Sequence, residues 1–356
     1  MPNKLRVAVI GCGNVSRGHI PAWLARPREV EIAGLYDPVR RFCEKRRKDF
    51  QLDGARIYDS YEQALDDDVD VIDLCSMSDT HDEQIMSAME AGKHILTEKP
   101  TGYTLEARRK LRWYAAKYPD LKVAVAYSLR YIPLNIEVRR LILSGAIGRP
   151  MWGHVEHCHR AHGPISGPDT RGSGHDLGGL SDRGGRYVAG SDMTHATHPW
   201  DLARYMMGEP AEVYATRNAC AVFGMLTQSD GSVCQVQAGS TSKGGLNWIT
   251  PVAVQGTEGT VYIQRYSRVR GGAETHVAYL MNGARKGSKL KTIRAKKDTG
   301  HGDHSRTANF LAALRGKEPL ICPLEESIRT SELLHAVWES YTLGIRVRIR
   351  RCGRTG

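Results

Sequence analysis

The stretch LRVAVIGCGNVSRGH, Leu5 to His19, decides the fold. A run of β-prone apolar residues stops at Gly11, a second glycine follows at Gly13, and helix-compatible sequence begins directly afterwards. Strand, glycine turn and helix in that order open a dinucleotide-binding βαβ unit, in which backbone amides and the helix N-terminus hold a pyrophosphate. Ser16 stands where the G-x-G-x-x-G pattern has its third glycine. The match alone is weak, and it gains weight from Asp37, the acidic residue that closes the next β-prone run, EIAGLYD. A carboxylate there accepts hydrogen bonds from an adenosine ribose and repels a 2'-phosphate, which favours NAD over NADP. Arg40 and Arg41 follow closely and soften that preference.

Outward from this turn, short β-rich runs alternate with amphipathic stretches as far as about Ala126. Helices near Arg17–Ala25, Val39–Phe50, His81–Ala91 and Thr104–Tyr118 separate LRVAVIG, EIAGLYD, VDVIDLC, HILTE and KVAVAY. Strands apolar on both faces with helices between them form a parallel, doubly wound sheet, so a Rossmann domain is expected over residues 1–128. After a helix near Pro133–Ser144 the pattern changes. PMWGHVEHCHR, AEVYATRNACAVFG, SVCQVQAGS, ITPVAVQG and TVYIQRY follow one another through Gly-containing turns. They predict a second α/β domain over 129–356, built on an open, mostly antiparallel sheet. A Gly-rich polar segment at about 163–190 lacks any apolar period and reads as a functional loop or insertion. Two helices, near His304–Leu314 and Leu324–Leu343, complete the second half.

Composition narrows the class. A length of 356 residues with 41% hydrophobic content suits two domains. No apolar run approaches the roughly 20 residues that span a bilayer. Too few residues precede Leu5 for a signal peptide, so a cytoplasmic protein with no membrane partner is expected. The 8 cysteines are scattered, with no CxxC pair, and read as reduced thiols. Lys and Arg number 50 against 39 Asp and Glu, a net charge of +11. Two basic clusters, ARKGSKLKTIRAKK and RVRIRRCGR, contribute to it, and they read as solvated loop or tail rather than a nucleic-acid surface.

Chemistry-bearing residues lie farther along. In SMSDTHDEQIMSAMEAGKHILTEKPTGYT, Glu98-Lys99-Pro100 falls at the carboxyl end of a strand, where open α/β sheets bind ligands. Alone, Glu98 and Lys99 read equally well as a solvated pair. In GHVEHCHRAHG, alternation along a strand puts His154, Glu156 and Cys158 on one face and His157 with His159 on the other. Zinc needs several ligands converging from one side, so no metal site is expected there.

Taken together, these features resemble the Gfo/Idh/MocA oxidoreductases. The resemblance runs over nearly the whole chain: the glycine turn ending in His19, Asp37, SDTH with His81, AGKHILTEKP, and Arg130-Tyr131. It continues through His198-Pro199-Trp200-Asp201 with Gly208, VQGTEGTVYI at Val254 to Ile263, and the terminal helix ending in Gly344. It implies hydride transfer between nicotinamide and a hydroxyl or keto carbon of a sugar, sugar acid or cyclitol. Lys99 resembles the family's active-site lysine and His198 its catalytic histidine. A cation beside the reacting oxygen stabilises a developing alkoxide, and an imidazole suits proton transfer near neutrality. The implied cofactor residues are Gly11, Gly13, Asn14, Val15, Asp37, Ser76, His81, Glu98 and Lys99, and the implied substrate residues Thr194, Asp201 and Arg130; from the strand alternation, His157 or His159 is expected to bond sugar hydroxyls. A homodimer or homotetramer is expected.

The register of HxxD selects His198, since His195 in that role would displace Asp201 and Gly208. Thr194 occupies a position where many members carry an aspartate, with Asp192 two residues farther back. That departure keeps a non-catalytic sensor or partner subunit open as a reading, and a glycoside-cleaving enzyme that recycles NAD is a further alternative.

Overall fold

The run Leu5–Ile10 forms strand β1, with Val7 and Val9 facing one apolar layer and Ala8 and Ile10 the other. Both faces are therefore covered, as a parallel sheet requires. The chain is described here from a computed structural model covering residues 4–160, 197–217, 221–241, 251–266, 275–282, 289–293 and 302–351. It divides into two compact units, residues 1–131 with 298–328 and 352–356, and residues 132–297 with 329–351.

In the first unit, β1 is followed by α1 (Ser16–Leu24), β2 (Val30–Tyr36), α2 (Arg40–Asp49), β3 (Arg56–Ile57), α3 (Tyr61–Asp66), β4 (Val71–Leu74), α4 (His81–Glu90), β5 (His94–Thr97), α5 (Leu105–Lys117) and β6 (Val123–Val125). Local chemistry sets several starts. The Ser60 and Thr104 side chains accept hydrogen bonds from Gln63 N and Ala107 N, capping α3 and α5. The six strands are parallel and ordered β3-β2-β1-β4-β5-β6, the doubly wound arrangement. β3 and α3 are too short to stand out in the sequence pattern.

Residues 298–328, read from the sequence with the C-terminal domain, group with this unit. Helix α8 (Asp303–Leu314; α7 lies in the second unit) packs on α1, burying Phe310 against Trp23 with ring centroids 6.1 Å apart. The chain then bridges Ala124 with Pro323, and Val125 N donates to Cys322 O, so the otherwise open edge of β6 is covered.

The second unit begins with α6 (Pro133–Leu143) and β7 (Pro150–Arg160), followed by α7 (Thr197–Met207), β8 (Pro210–Arg217), β9 (Ala221–Gln228), β10 (Val233–Thr241), β11 (Val252–Gly256), β12 (Gly259–Tyr266), β13 (Thr275–Asn282) and β14 (Lys289–Ile293). Helix α9 (Leu324–Leu343) and β15 (Val347–Arg348) follow α8, and the division between the units falls within α9. The nine strands are ordered β14-β13-β12-β11-β7-β10-β9-β8-β15, and every pairing is antiparallel except β7 with β10. β13 and β14 escape the sequence reading. β14 lies inside the basic cluster read as loop, and its Leu290, Lys291 and Thr292 are exposed, as suits a short charged edge strand.

Helix α7 lies against β7 and β10. Its buried Trp200 ring reaches Gly224 so closely that a Cβ there would sit 2.6 Å from the ring. Trp200→Ala empties that space, and denaturant unfolding is expected to register a loss of about 3–5 kcal/mol. A change under about 1 kcal/mol would mean the ring does not hold α7 to the sheet.

Candidate functional site

At the carboxyl end of β1 the backbone turns through Gly11, whose φ is +91°, and a Cβ there would lie 2.6 Å from the backbone of Cys75 and Ser76. Only glycine fits on both counts. Gly11 N donates to Tyr36 O and Cys75 N to Ile10 O, each at 2.7 Å, binding the turn to β2 and β4. A Cβ on Gly13 would meet nothing within 4 Å, so the space before α1 is open. Val15, the residue preceding α1, makes no side-chain cap, and the first turn carries no acidic residue. Open space and a helix start with neither a side-chain cap nor an acidic residue in its first turn fit a pyrophosphate.

Ser16 is buried, donates to Gly13 O at 2.8 Å and accepts from Arg46 Nε at 3.1 Å. Arg46 Nη2 also donates to Gly13 O at 2.8 Å. A serine at the third-glycine position is thus built into a tether across to α2. Sequence reasoning missed Arg46, which sits among other cations in RRFCEKRRKD. The Asp37 carboxylate accepts from Cys12 N and Val39 N, both at 2.8 Å, and is held at the end of β2 beside the turn. Arg40 is drawn away to Asp59 at 2.8 Å and Glu44 at 3.4 Å.

Ser76 hydrogen-bonds Gln84, and the buried His81 ring spans two carbonyls, Pro100 O through Nδ1 and Ser76 O through Nε2, each at 3.2 Å. Burial lowers its pKa. A neutral ring carries one N–H, so His81 donates to one of these carbonyls and packs against the other, lying between the loops after β4 and β5 in a part not visible in the sequence.

Glu98 and Lys99 follow β5 directly. Glu98 N donates to Leu74 O, and Lys99 N to Glu98 Oε2 at 3.3 Å. Beneath them His19 Nδ1 faces Asp73 Oδ1 at 2.8 Å and His19 Nε2 faces Glu98 Oε1 at 3.1 Å. Trp23 Nε1 donates to Asp73 Oδ2 at 2.7 Å, while Arg306 Nη1 lies 2.9 Å from Asp303 and 3.9 Å from Glu98. Burial opposes charge on Glu98, yet the hydrogen bond and charge of His19, with Lys99 and Arg306, hold its carboxyl well below the usual carboxylate range. Burial pulls the Lys99 ammonium below its usual pKa, and Glu98 draws it partly back. The ligand-type atoms of His19, Asp73 and Cys75 lie within 4.8 Å of one another. Both Asp73 oxygens already accept hydrogen bonds, and burial pushes the Cys75 thiol up to about 12.

Arg130, in the turn Ser128–Tyr131, is buried and donates to Glu326 at 2.9 Å. In the second unit, His198 lies in the first turn of α7, its ring 5.7 Å from that of buried His157 on β7 in an edge arrangement. The alternation expected along β7 holds, since His154 and Glu156 lie half-exposed on the opposite face. Asp201 is fully buried and accepts from Thr330 Oγ1 at 2.6 Å, with Arg204 at 3.8 Å. Of its two expected parts, substrate ligand and helix partner, the second is the one displayed. Thr194, His195, Asp192 and residues 163–190 lie outside the described residues. Of the C-terminal basic cluster, Arg346 and Arg348 pair with Glu212 and Arg351 with Glu209.

The lowered pKa of Glu98 sets a sign for acid stability. Its contribution is complete above the unfolded carboxylate value of about 4.3 and is lost as pH falls through the folded value. Thermal midpoints between about pH 3 and 7 should fall more steeply on acidification for the wild type than for Glu98→Gln. Parallel slopes would contradict the coupling of Glu98 to its cations.

Residues 5–127 match the family described as "Oxidoreductase family, NAD-binding Rossmann fold" and residues 187–349 its "C-terminal alpha/beta domain", the two halves of Gfo/Idh/MocA proteins. D-glucoside 3-dehydrogenase of Escherichia coli (strain K12) is 23% identical over 361 residues, 98% of each chain. Levoglucosan dehydrogenase of Pseudarthrobacter phenanthrenivorans is 27% identical over 298 residues, 72% of this chain and 73% of that one. A solved levoglucosan dehydrogenase in complex with NADH and levoglucosan shares the fold with a TM-score of 0.82 at 19% identity, over 98% of this chain and 100% of that one. The glycine turn at the end of β1, Asp37 at the end of β2 and Glu98-Lys99-Pro100 at the end of β5 accordingly sit in a chain that belongs to the Gfo/Idh/MocA oxidoreductase family, with its NAD-binding Rossmann fold and its C-terminal α/β domain.

Proposed function

We propose that the protein is an NAD-dependent dehydrogenase or reductase acting on a CH–OH or keto carbon of a sugar, sugar acid or cyclitol, with Lys99 and His198 handling the proton. The observation that carries this reading is the placement of Lys99. It follows β5 at the carboxyl edge of the parallel sheet, the edge that also carries Gly11, Gly13 and Asp37, with its ammonium pKa lowered by burial and countered by Glu98. Relatives named for levoglucosan, glucosides and inositols support a polyhydroxylated substrate.

Bound NAD supplies the acceptor, or when reduced the donor, of the hydride. Gly11 and Gly13, with Asn14 and Val15 just before α1, would hold the pyrophosphate, and Asp37 would receive the adenosine ribose. Its carboxylate disfavours a 2'-phosphate, and Arg40 is engaged by Asp59 and Glu44. Ser76 and His81 set the loop after β4. Lys99 binds the reacting oxygen, where its charge lowers the pKa of the hydroxyl and stabilises the alkoxide. His198, beside His157, takes the proton in oxidation and returns it in reduction. Thr194, Asp201 and Arg130 remain assigned to the substrate only through the family likeness, since Asp201 and Arg130 hold internal partners.

Among the described residues no helix is long and apolar enough to cross a membrane, and a cytoplasmic enzyme is proposed. A homodimer or homotetramer is proposed on one register row of the open sheet, in which Tyr214, Met225 and Tyr262 are exposed by 48%, 41% and 38% on a single face.

The test follows the absorbance band of reduced nicotinamide while NAD and myo-inositol, levoglucosan, glucosides and sugar acids are supplied in turn. At least one compound should raise it, and Lys99→Ala should lower that rate by about 10²–10³-fold. A flat response to every compound by protein that binds NAD would overturn net oxidation.

A further inference from the structure

His19 lies at 1% exposure with a carboxylate oxygen on each ring nitrogen, Asp73 Oδ1 at 2.8 Å and Glu98 Oε1 at 3.1 Å. Neither oxygen can donate while ionised, so both contacts are hydrogen bonds only if both ring nitrogens carry protons. The surroundings make the same demand. Asp73 comes from β4, Glu98 and Lys99 follow β5, and Asp303 and Arg306 come from α8. The approach of α8 is close: a Cβ on Gly18 would sit 2.5 Å from an Asp303 carboxylate oxygen. Asp73, Glu98 and Asp303 are balanced by Lys99, Arg306 and His19 only if His19 is charged. A neutral ring would leave one of these three carboxylates, of which Asp73 is fully buried, without a counterpart.

We propose that His19 is a positioning residue for the reaction, a standing imidazolium that fixes the Glu98 carboxylate and, through it, the place and charge of Lys99. The inference rests on the proton-handling part given to Lys99 above. His19 meets Glu98 at Oε1 while the Lys99 backbone N donates to Oε2, and His19 is assigned no contact with substrate or cofactor. Its pKa agrees in direction: burial and Arg306 oppose the proton, and the acidic groups around the ring, Asp73 foremost, together leave the value well above the usual one. Cys75, also facing the ring, stays a thiol. The arrangement is not a proton shuttle, because beyond Asp73 it meets only the buried Trp23 and Cys75 among the described residues.

The test has two arms on the full-length protein. In the first, ¹⁵N-labelled imidazoles are followed by NMR, with His19 identified by its loss in His19→Gln. Both ring nitrogens should remain protonated well above the ordinary titration point of about pH 6.5. A neutral single tautomer at about pH 7.5 would overturn the proposal. In the second, His19→Gln should keep NADH affinity within about 3-fold while kcat on the compound oxidised fastest falls about 10²-fold. The pH–rate limb that reports Lys99 should move by about one unit. Unchanged kcat and limb, or affinity and kcat lost together, would overturn it. If His19→Gln does not fold, the first arm decides by itself, with His19 then identified by through-space contacts to Trp23. A wild type that oxidises no compound defeats the dehydrogenase reading and leaves the first arm standing.

Discussion

Between Gly11 and the Cys75–Ser76 backbone there is no room for a Cβ, and this close passage organises the carboxyl edge of the parallel sheet. It lets β1 end between β2 and β4 with both neighbours hydrogen-bonded to the turn, through Gly11 N to Tyr36 O and Cys75 N to Ile10 O. With the turn so placed, Cys12 N meets Asp37, and α1 departs with no side-chain cap. A larger residue at this point would separate β1 from β4, and with them the glycine turn from the loop that carries Ser76. Asp37, Gly13 and the start of α1 are in register because one glycine permits it.

Below that edge the unit buries charge. Isolated ions would be costly there, and each is answered by a partner: Asp73 by His19 and Trp23 of α1, Glu98 by His19 of α1 and Arg306 of α8, and Arg306 also by Asp303 one turn earlier on the same helix. The second unit handles its polar core similarly, with Asp201, Arg204 and Thr330 joined across α7 and α9. In both units a charged residue that reads as functional in the sequence also holds helices in place.

Much of this was legible in the sequence, for identifiable reasons. The βα alternation from Leu5 onward, the glycine turn, Asp37 and Glu98-Lys99-Pro100 are local patterns, and each falls on the element expected of it. β7 was readable because it is a run between the turn GAIGRP and the Gly-rich segment, and alternating burial is seen over Gly153–His157. β13 and β14 were not, since their edge position tolerates lysines and weak apolar content. Nor was the grouping of residues 298–328 with the first unit, which depends on Phe310 meeting Trp23 and Pro323 bridging Ala124. Arg46, Arg306, Asp73 and Trp23 carry no motif. Their partners lie tens of residues away, and spacing along a chain does not encode such pairings. The same limit applied to Asp201 and Arg130, whose charge was visible but whose partners Thr330 and Glu326 were not.

The central claim is that a hydride leaves a carbinol carbon for the nicotinamide. Its most direct measurement supplies NAD with the polyol or sugar found to raise the reduced-nicotinamide band, deuterated at its carbinol carbons, and examines the recovered NADH by mass spectrometry. The account predicts NADH that carries one deuteron from the substrate and is formed more slowly than from the unlabelled compound. Recovered cofactor that never acquires deuterium, in protein that binds NAD and consumes the substrate, would contradict net hydride transfer.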